Sequence, residues 1–408
     1  MNMAAIRIID GFANESNRYR LARESLQITQ RNRRCPSKKI DDKHFNDKRI
    51  DEWQRSSMSR QRFLRHPTKL FEVSAGKPAD QMVSEMAGTA FQGRKLGEAF
   101  EIWARMLKKR QIVIWMGIAG AMVPAGMRKI VAQLIRRRMI DVLVTTGAMI
   151  YHDAYEATGG KHFRGTDKVD DVQLRKYRVD RMYDVYSDER RFYRLDNEID
   201  KQFCSQLRDN YAYSSRQIAE KFGAWLSDRA RDRDSISIAA KEAGVPIFLP
   251  ALCDSSLGFA MMFANRNRGR RIIVDNMRDV YESALITEKC PRSGVVIFGG
   301  GVPKNFVQQS AVVASYATRH DKTHDYALQI TTDAAHWGGL SGATLEEAKS
   351  WGKYSPRAQM VTCHADSTIA LPILAQALAD RFKRIRRDIP KFEWTADTLK
   401  ITFQRFRA

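Results

Sequence analysis

Cysteine is scarce in this 408-residue chain: five are spread over its length, an odd number with no C-x-x-C pair. That pattern excludes a disulfide framework and a zinc ribbon, and it fits a reducing compartment. The eight histidines form no H-E-x-x-H or other paired ligand spacing, so no metal site is expected. Long hydrophobic runs are also missing. The longest, residues 112–127, is broken by Gly117, Gly120, Pro124 and Gly126 and is too short for a bilayer span. The N-terminus lacks the apolar core of a secretory signal, and neither G-x-G-x-x-G nor G-x-x-x-x-G-K-[ST] occurs. These absences predict a cytoplasmic protein with no membrane association, no standard dinucleotide fingerprint and no P-loop.

Acidic residues are outnumbered, with 69 Lys+Arg against 47 Asp+Glu and a net charge of +22. Such a balance invites a nucleic-acid reading. The excess is uneven, however: residues 1–57 carry +5 and residues 381–408 carry +6. Between them bases and acids are interleaved, without the clustered aromatics and Lys/Arg that a binding face needs. Nucleic acid is therefore not the expected partner. Residues 1–57 are polar, without apolar periodicity, and are expected to be a flexible basic extension or an over-called start ahead of Met58. Residues 58–408 are expected to form the folded domain.

With 43 % apolar residues, a sizeable core is available. Apolar periodicity predicts helices over residues 97–108 and 127–138. Short apolar runs predict strands at 111–115, 141–145, 245–249, 271–274, 294–298 and 326–331. Alternation of such strands with helices implies an α/β fold, a mostly parallel sheet covered by helices on both faces. Residues 164–241 are strongly charged and read as a helical insert. Arg136–Arg138 suit a helix C-terminus better than a phosphate.

Parallel sheets bind ligands at the carboxyl ends of their strands. Five glycine-bearing segments fall there: WMGIAGAM (115–122), VTTGAMIYHD (144–153), PALCDSSLGF (250–259), VIFGGGVPKN (296–305) and ITTDAAHWGGLSG (330–342). Gly299, Gly300 and Gly301, followed by Pro303, can bring backbone N–H groups to a phosphate at a helix start. In EEAKSWGKY (346–354), Lys353 lies two residues from Trp351. A lysine attacks a carbonyl or imine only when unprotonated, and burial beside an indole is one route to that state. Trp351 can also face a substrate ammonium, and Glu347 can pair with a cationic amine. Spacing alone leaves open a solvated lysine at a helix end, with Trp351 in the core.

The segments LQITTDAAHWGGLSGATLEEAKSWGK (328–353), PALCDSSLG, FGGGVPKN and DVLVTTGA, in that family's order, resemble the deoxyhypusine synthase family over roughly residues 63–382. The resemblance implies one large Rossmann-like domain, NAD as cofactor, and a homotetramer with sites at dimer interfaces. In the implied chemistry NAD accepts a hydride beside a secondary amine of spermidine, and diaminopropane leaves. A 4-aminobutyl unit is then held as an imine on a lysine and passes to an acceptor amine. Lys353 resembles that lysine, and Trp351 and Glu347 resemble the residues that hold the substrate. Gly120, Thr146, Asp254, Gly299, Gly300, Gly301, Thr332 and Asp366 occupy positions that resemble the family's NAD contacts.

Departures from the synthase pattern fall where polyamine ends are anchored. Phe259 and Leu340 replace acidic residues, Asn305 replaces a histidine, His152 replaces a glutamate, and Gly120–Ala121 replaces a Ser–Asn pair. These substitutions, with WGGLSG and IYHD, are similar to the bacterial branch associated with homospermidine formation. The expected function is an NAD-dependent 4-aminobutyl transferase acting on small polyamines, with the substrate-binding set Glu347, Trp351, Asn305, His152, Leu340 and Phe259. A protein lysine is the alternative acceptor. Nucleic-acid binding and NAD or polyamine binding without turnover are the other classes weighed.

Overall fold

The structure is a computed structural model that describes residues 60, 63–395 and 398–407. The expectation for residues 1–57 lies outside them. Thr68–Ala408 forms one compact unit. Its centre is a six-stranded, wholly parallel sheet made of β1 (Ile112–Ile118), β2 (Val142–Val144), β7 (Ile247–Phe248), β9 (Arg292–Phe298), β10 (His324–Thr331) and β11 (Tyr354–His364), in the order β11-β10-β9-β1-β2-β7.

Both faces of this sheet are buried, as its continuous apolar strands require. The side-chain period of two divides β1 between two cores. Ile112, Ile114, Met116 and Ile118 pack into one, with α2 (Phe91–Lys108), α3 (Arg128–Arg136), α4 (Gly147–Ala157) and α13 (Ser367–Arg381). Val113 and Trp115 pack into the other, with α10 (Asn276–Lys289), α11 (Gly301–Thr318) and Leu399. The predicted α/β architecture is thus present.

Several boundaries differ from the sequence reading. Helix α2 starts at Phe91, ahead of the predicted residue 97, because its first turn carries polar residues and no capping side chain. Residues 271–274 do not join the main sheet. Only β8 (Ile273–Val274) forms there, and it pairs with β6 (Ala212–Tyr213). Asp275 immediately caps α10 by accepting from the Met277 and Arg278 N–H groups. Edge strand β11 was unpredicted: it is polar, it contains Pro356, and its register slips against β10 between His324 and Tyr326. Proline is tolerated at such an edge.

The charged insert holds helices α5 (Asp171–Tyr177), α6 (Glu189–Glu198), α7 (Ser215–Ser227) and α8 (Ile236–Ala243). It also holds an antiparallel sheet of β3 (His162–Arg164), β5 (Val185–Asp188) and β4 (Val179–Met182), which the helical reading omitted. These strands are short and half-exposed, so they give no apolar run. The basic C-terminal segment is the hairpin β12 (Arg386–Trp394) and β13 (Leu399–Arg407). Arg387 donates to buried Asp141 at 2.7 Å and Arg138 donates to the other carboxylate oxygen at 3.3 Å. Arg138 is buried and its charge is answered inside the protein, in keeping with a structural role for that arginine run.

Candidate active site

The carboxyl edge of the sheet positions the site. Gly299 and Gly301 turn the chain from β9 into α11 with φ of +77° and +60°, the left-handed region that favours glycine. Gly300 is needed for a different reason: a Cβ there would lie 2.4 Å from Ser341 Cα. The glycine-rich loop 338–343 is clamped onto this turn. Ser341 Oγ accepts from the Gly301 N–H at 2.9 Å, and Gln329 Nε2 donates to the carbonyls of Gly299 (3.0 Å) and Ser341 (2.8 Å).

Lys304 completes the clamp and was missed in the sequence. Its buried ammonium donates to the carbonyls of Leu340 (3.3 Å), Ser341 (3.4 Å) and Ala343. Burial pushes its pKa down to about 8; the Lys353 charge adds to the shift, and Glu347 and Asp333 oppose it. One signal existed. A cation in the first turns of a helix is disfavoured by the helix dipole, so a lysine four residues into α11 needs a local partner.

Lys353 follows α12 (Glu347–Ser350) and the turn at Gly352, whose φ is +68°. Its backbone is fixed at both ends, with its N–H donating to Ala348 and its carbonyl accepting from His324, each at 3.1 Å. Its Nζ donates to Asn305 Oδ1 at 3.0 Å. Burial lowers its pKa, and Glu347 acts in the opposite direction. Glu347 accepts from the Thr344 N–H at 3.1 Å. Trp351 departs from the expected packing. Its ring centroid is 6.0 Å from Lys353 Nζ but the side chain is 69 % exposed, so it is neither core nor the cover of the amine. Leu340 is exposed on the neighbouring loop and reaches the group through its carbonyl on Lys304.

Further along the edge, Ala119 N–H donates to Phe298 O at 3.2 Å and sets Gly120 (φ +88°) beside the triglycine turn. Open space faces Gly120 and Gly301 where a Cβ would project. Thr146 caps α4 by accepting from the Met149 N–H. Gly147 approaches Ser255 so closely that a Cβ would fall 2.3 Å from its Oγ. This contact joins the β2 turn to the loop carrying exposed Asp254, after which Phe259 lies exposed on α9 (Ser256–Arg268). At the other end Ala365 N–H donates to Thr331 O at 3.1 Å, bringing Asp366 next to Thr332. Asp366 caps α13, and the Thr368 hydroxyl and N–H hold its carboxyl below the usual range.

His152 faces the insert. It shares a 3.0 Å hydrogen bond with His162, whose other ring nitrogen is 2.7 Å from Glu156. Burial, and then His162, push the His152 pKa down to about 4. Among the described residues no hydrogen bond or ion pair links His152 to the Lys353 group.

An open glycine ledge across adjoining parallel strand ends, with a half-buried lysine on an amide oxygen nearby, belongs to a Rossmann-like α/β fold. A family model for deoxyhypusine synthase matches residues 81–378. The chain is 45 % identical over 332 residues to probable deoxyhypusine synthase 2 of Methanosarcina acetivorans, covering 81 % of this chain and 95 % of that one. It is 49 % identical over 293 residues to the protein of the same name from Archaeoglobus fulgidus (72 % and 95 % covered). It is 36 % identical over 322 residues to the deoxyhypusine synthase-like protein of Chlorobaculum tepidum (78 % and 91 %). A crystal structure of a candidate deoxyhypusine synthase from Entamoeba histolytica shares the fold, with a TM-score of 0.53 at 18 % identity over 76 % of this chain and 96 % of that one. The chain belongs to the deoxyhypusine synthase family, whose members are NAD-dependent transferases.

Proposed function

We propose that this protein is a cytoplasmic 4-aminobutyl transferase of polyamine metabolism. It takes the group from spermidine or putrescine, holds it as an imine on Lys353 and delivers it to a small amine, giving a homospermidine-type product. The observation that carries the reading is the Lys353–Asn305 hydrogen bond at 3.0 Å in a half-buried setting that lowers the lysine pKa. A neutral Nζ can donate one N–H to Asn305 Oδ1 and keep its lone pair for attack at an imine carbon. As the new C–N bond forms and becomes the lysine imine, the bond to the departing amine breaks, and the two protons that Nζ gives up pass to the departing nitrogen. Glu347 supplies a carboxylate for the free ammonium of the aminobutyl chain, and the Trp351 face a second cationic contact. Leu340 and Phe259 give the pocket apolar walls where carboxylates would have bound another charged end.

The ledge fits NAD, because open space at Gly120 and Gly301 lets backbone N–H groups approach a pyrophosphate. Gly299, Gly300, Thr146, Asp254, Thr332 and Asp366 would line it. When bound there, NAD supplies hydride acceptance and return. Exposed Trp351 beside Lys353, and exposed Leu340 on the loop that Lys304 holds, suit a site covered by another subunit, as in a homotetramer with sites at dimer interfaces.

A protein-lysine acceptor is the second reading, favoured by the deoxyhypusine synthase name of the archaeal relatives. Incubation with NAD⁺ and spermidine followed by borohydride should fix an aminobutyl adduct on Lys353, detected by peptide mass. Undiminished transfer by Lys353→Ala would refute the mechanism. Product analysis with mixed polyamines and a lysine-bearing protein separates the acceptors.

A further inference from the structure

Strand pairing alone does not fix the start of β11, and Lys353 stands immediately before it. The ladder with β10 opens with His324 opposite Tyr354, slips, and resumes with Tyr326 opposite Gln359. Residues 355–358 fall outside the register, as in a bulge. The single pairing at Tyr354 is thereby cut off from the rest of the strand, so the strand start needs an anchor of its own.

Helix α11 supplies it. The Tyr354 side chain lies in the core that also holds Val307, Leu345 and Ala348. Its hydroxyl accepts from Gln308 Nε2 at 3.0 Å, with both residues buried. Asn305, which holds Lys353 Nζ, lies three residues before Gln308 and so on the same face of the helix. His324 ties the same helix to the lysine peptide. Its backbone N–H donates to the Lys353 carbonyl at 3.1 Å, and its ring nitrogens lie 2.7 Å from Ser293 Oγ and 3.2 Å from the Val307 carbonyl. A carbonyl only accepts, so Nε2 carries the proton and Nδ1 accepts from the Ser293 hydroxyl. The ring is neutral, because burial pushes its pKa down to about 4. Residues 305, 307 and 308 of α11 thus all bear on the start of β11.

We infer, on the reading of Lys353 as the imine-forming lysine, that Gln308 is a positioning residue for it: through the Tyr354 hydroxyl it fixes where Lys353 Nζ meets Asn305. Gln308 is 2 % exposed, so it acts through Tyr354 and not on a substrate. Without this bond the start of β11 can shift, and a displacement of about 1 Å at a reacting group can cost about a hundredfold in rate. A released amine also regains water and loses the burial that lowers its pKa.

Tyr354→Phe, Gln308→Met and the two together, each in the full chain, test it. Either single change strands a buried polar group, whereas the double change removes both partners, so its melting temperature should return towards the wild-type value. Borohydride trapping with NAD⁺ and spermidine gives a maximal rate and a half-saturating spermidine concentration. The double variant should trap about ten- to a hundredfold more slowly at saturation, with half-saturation within about twofold of wild type. Acetylation of Lys353 by acetic anhydride, followed by peptide mass against pH, should show its midpoint moved to higher pH. A double variant with wild-type rate and midpoint overturns the proposal. So does a rate that recovers together with the melting temperature, which marks a purely structural bond. If a single variant fails to fold, the double variant carries the test. Failure of the wild type to trap any adduct refutes the transferase reading, while the acetylation midpoint still decides the role of Gln308.

Discussion

Replacing Lys304 with methionine isolates the buried charge that acts on Lys353. Two opposing terms set its effect. The ammonium supplies donors to three loop carbonyls, and leaving buried acceptors unmet costs about 1–3 kcal/mol each. Against this, burial holds its pKa near 8 rather than 10.5. That difference corresponds to about 3 kcal/mol of disfavoured charge at neutral pH. The sign follows from proton counting. Between pH 8 and 10.5 the unfolded lysine is protonated and the folded one is not, so the unfolded state binds more protons and stability rises with pH. Below pH 8 the penalty is fully present. Methionine removes the group, so the wild-type-minus-variant unfolding free energy should increase by about 3 kcal/mol from pH 7 to pH 10.5. Urea unfolding at several pH values measures it. Parallel curves for the two proteins would refute the assignment of a buried, depressed lysine at this position.

Three further outcomes are expected. Asn305→Asp places a carboxylate on Lys353 Nζ and should raise the lysine pKa, moving the alkaline rise of borohydride trapping to higher pH, while Asn305→Leu should cut trapping about tenfold without that displacement. Gly300→Ala forces a Cβ against the Ser341 backbone and should cost about 1–3 kcal/mol in urea unfolding and weaken NAD binding in calorimetry. Arg387→Met strands the buried Asp141 carboxylate with one guanidinium and should cost about 3–5 kcal/mol in the same unfolding assay.

The central strands were legible because burial on both faces leaves no polar alternation to disguise them: Ile112–Ile118 and residues 294–298 of β9 are wholly apolar. What was lost obeys the converse. Edge strand β11 mixes Pro356, Arg357 and Gln359 with its apolar residues because only part of it is covered, and the insert strands are three or four residues long. The triglycine turn and Lys353 stood out as residue types whose chemistry is narrow. Lys304 did not, since a lysine near Pro303 reads as surface until the loop it holds is seen folded over it. The Asn305 contact joins residues 48 apart in sequence, a distance over which spacing carries no information. His162 was invisible for the same reason: its meaning comes from packing against His152 and Glu156.

The basic C-terminal segment shows what part of the positive charge does in the fold. Arg387 is buried on Asp141, Arg110 from α2's end reaches Asp388 at 3.3 Å, and Lys391 pairs with Glu393 at 2.9 Å. Trp394 lies under Arg216, whose guanidinium carbon is 4.1 Å from the ring and which also pairs with buried Glu282. A phosphate backbone would have to compete with these internal partners, and Arg387 cannot reach it at all. The hairpin therefore docks through Arg387, whose one guanidinium satisfies the Arg138 and Ile112 carbonyls and the Asp141 carboxylate at once. The charge of Arg387 thus serves the fold, while the carboxylate that acts on Lys353 is Glu347.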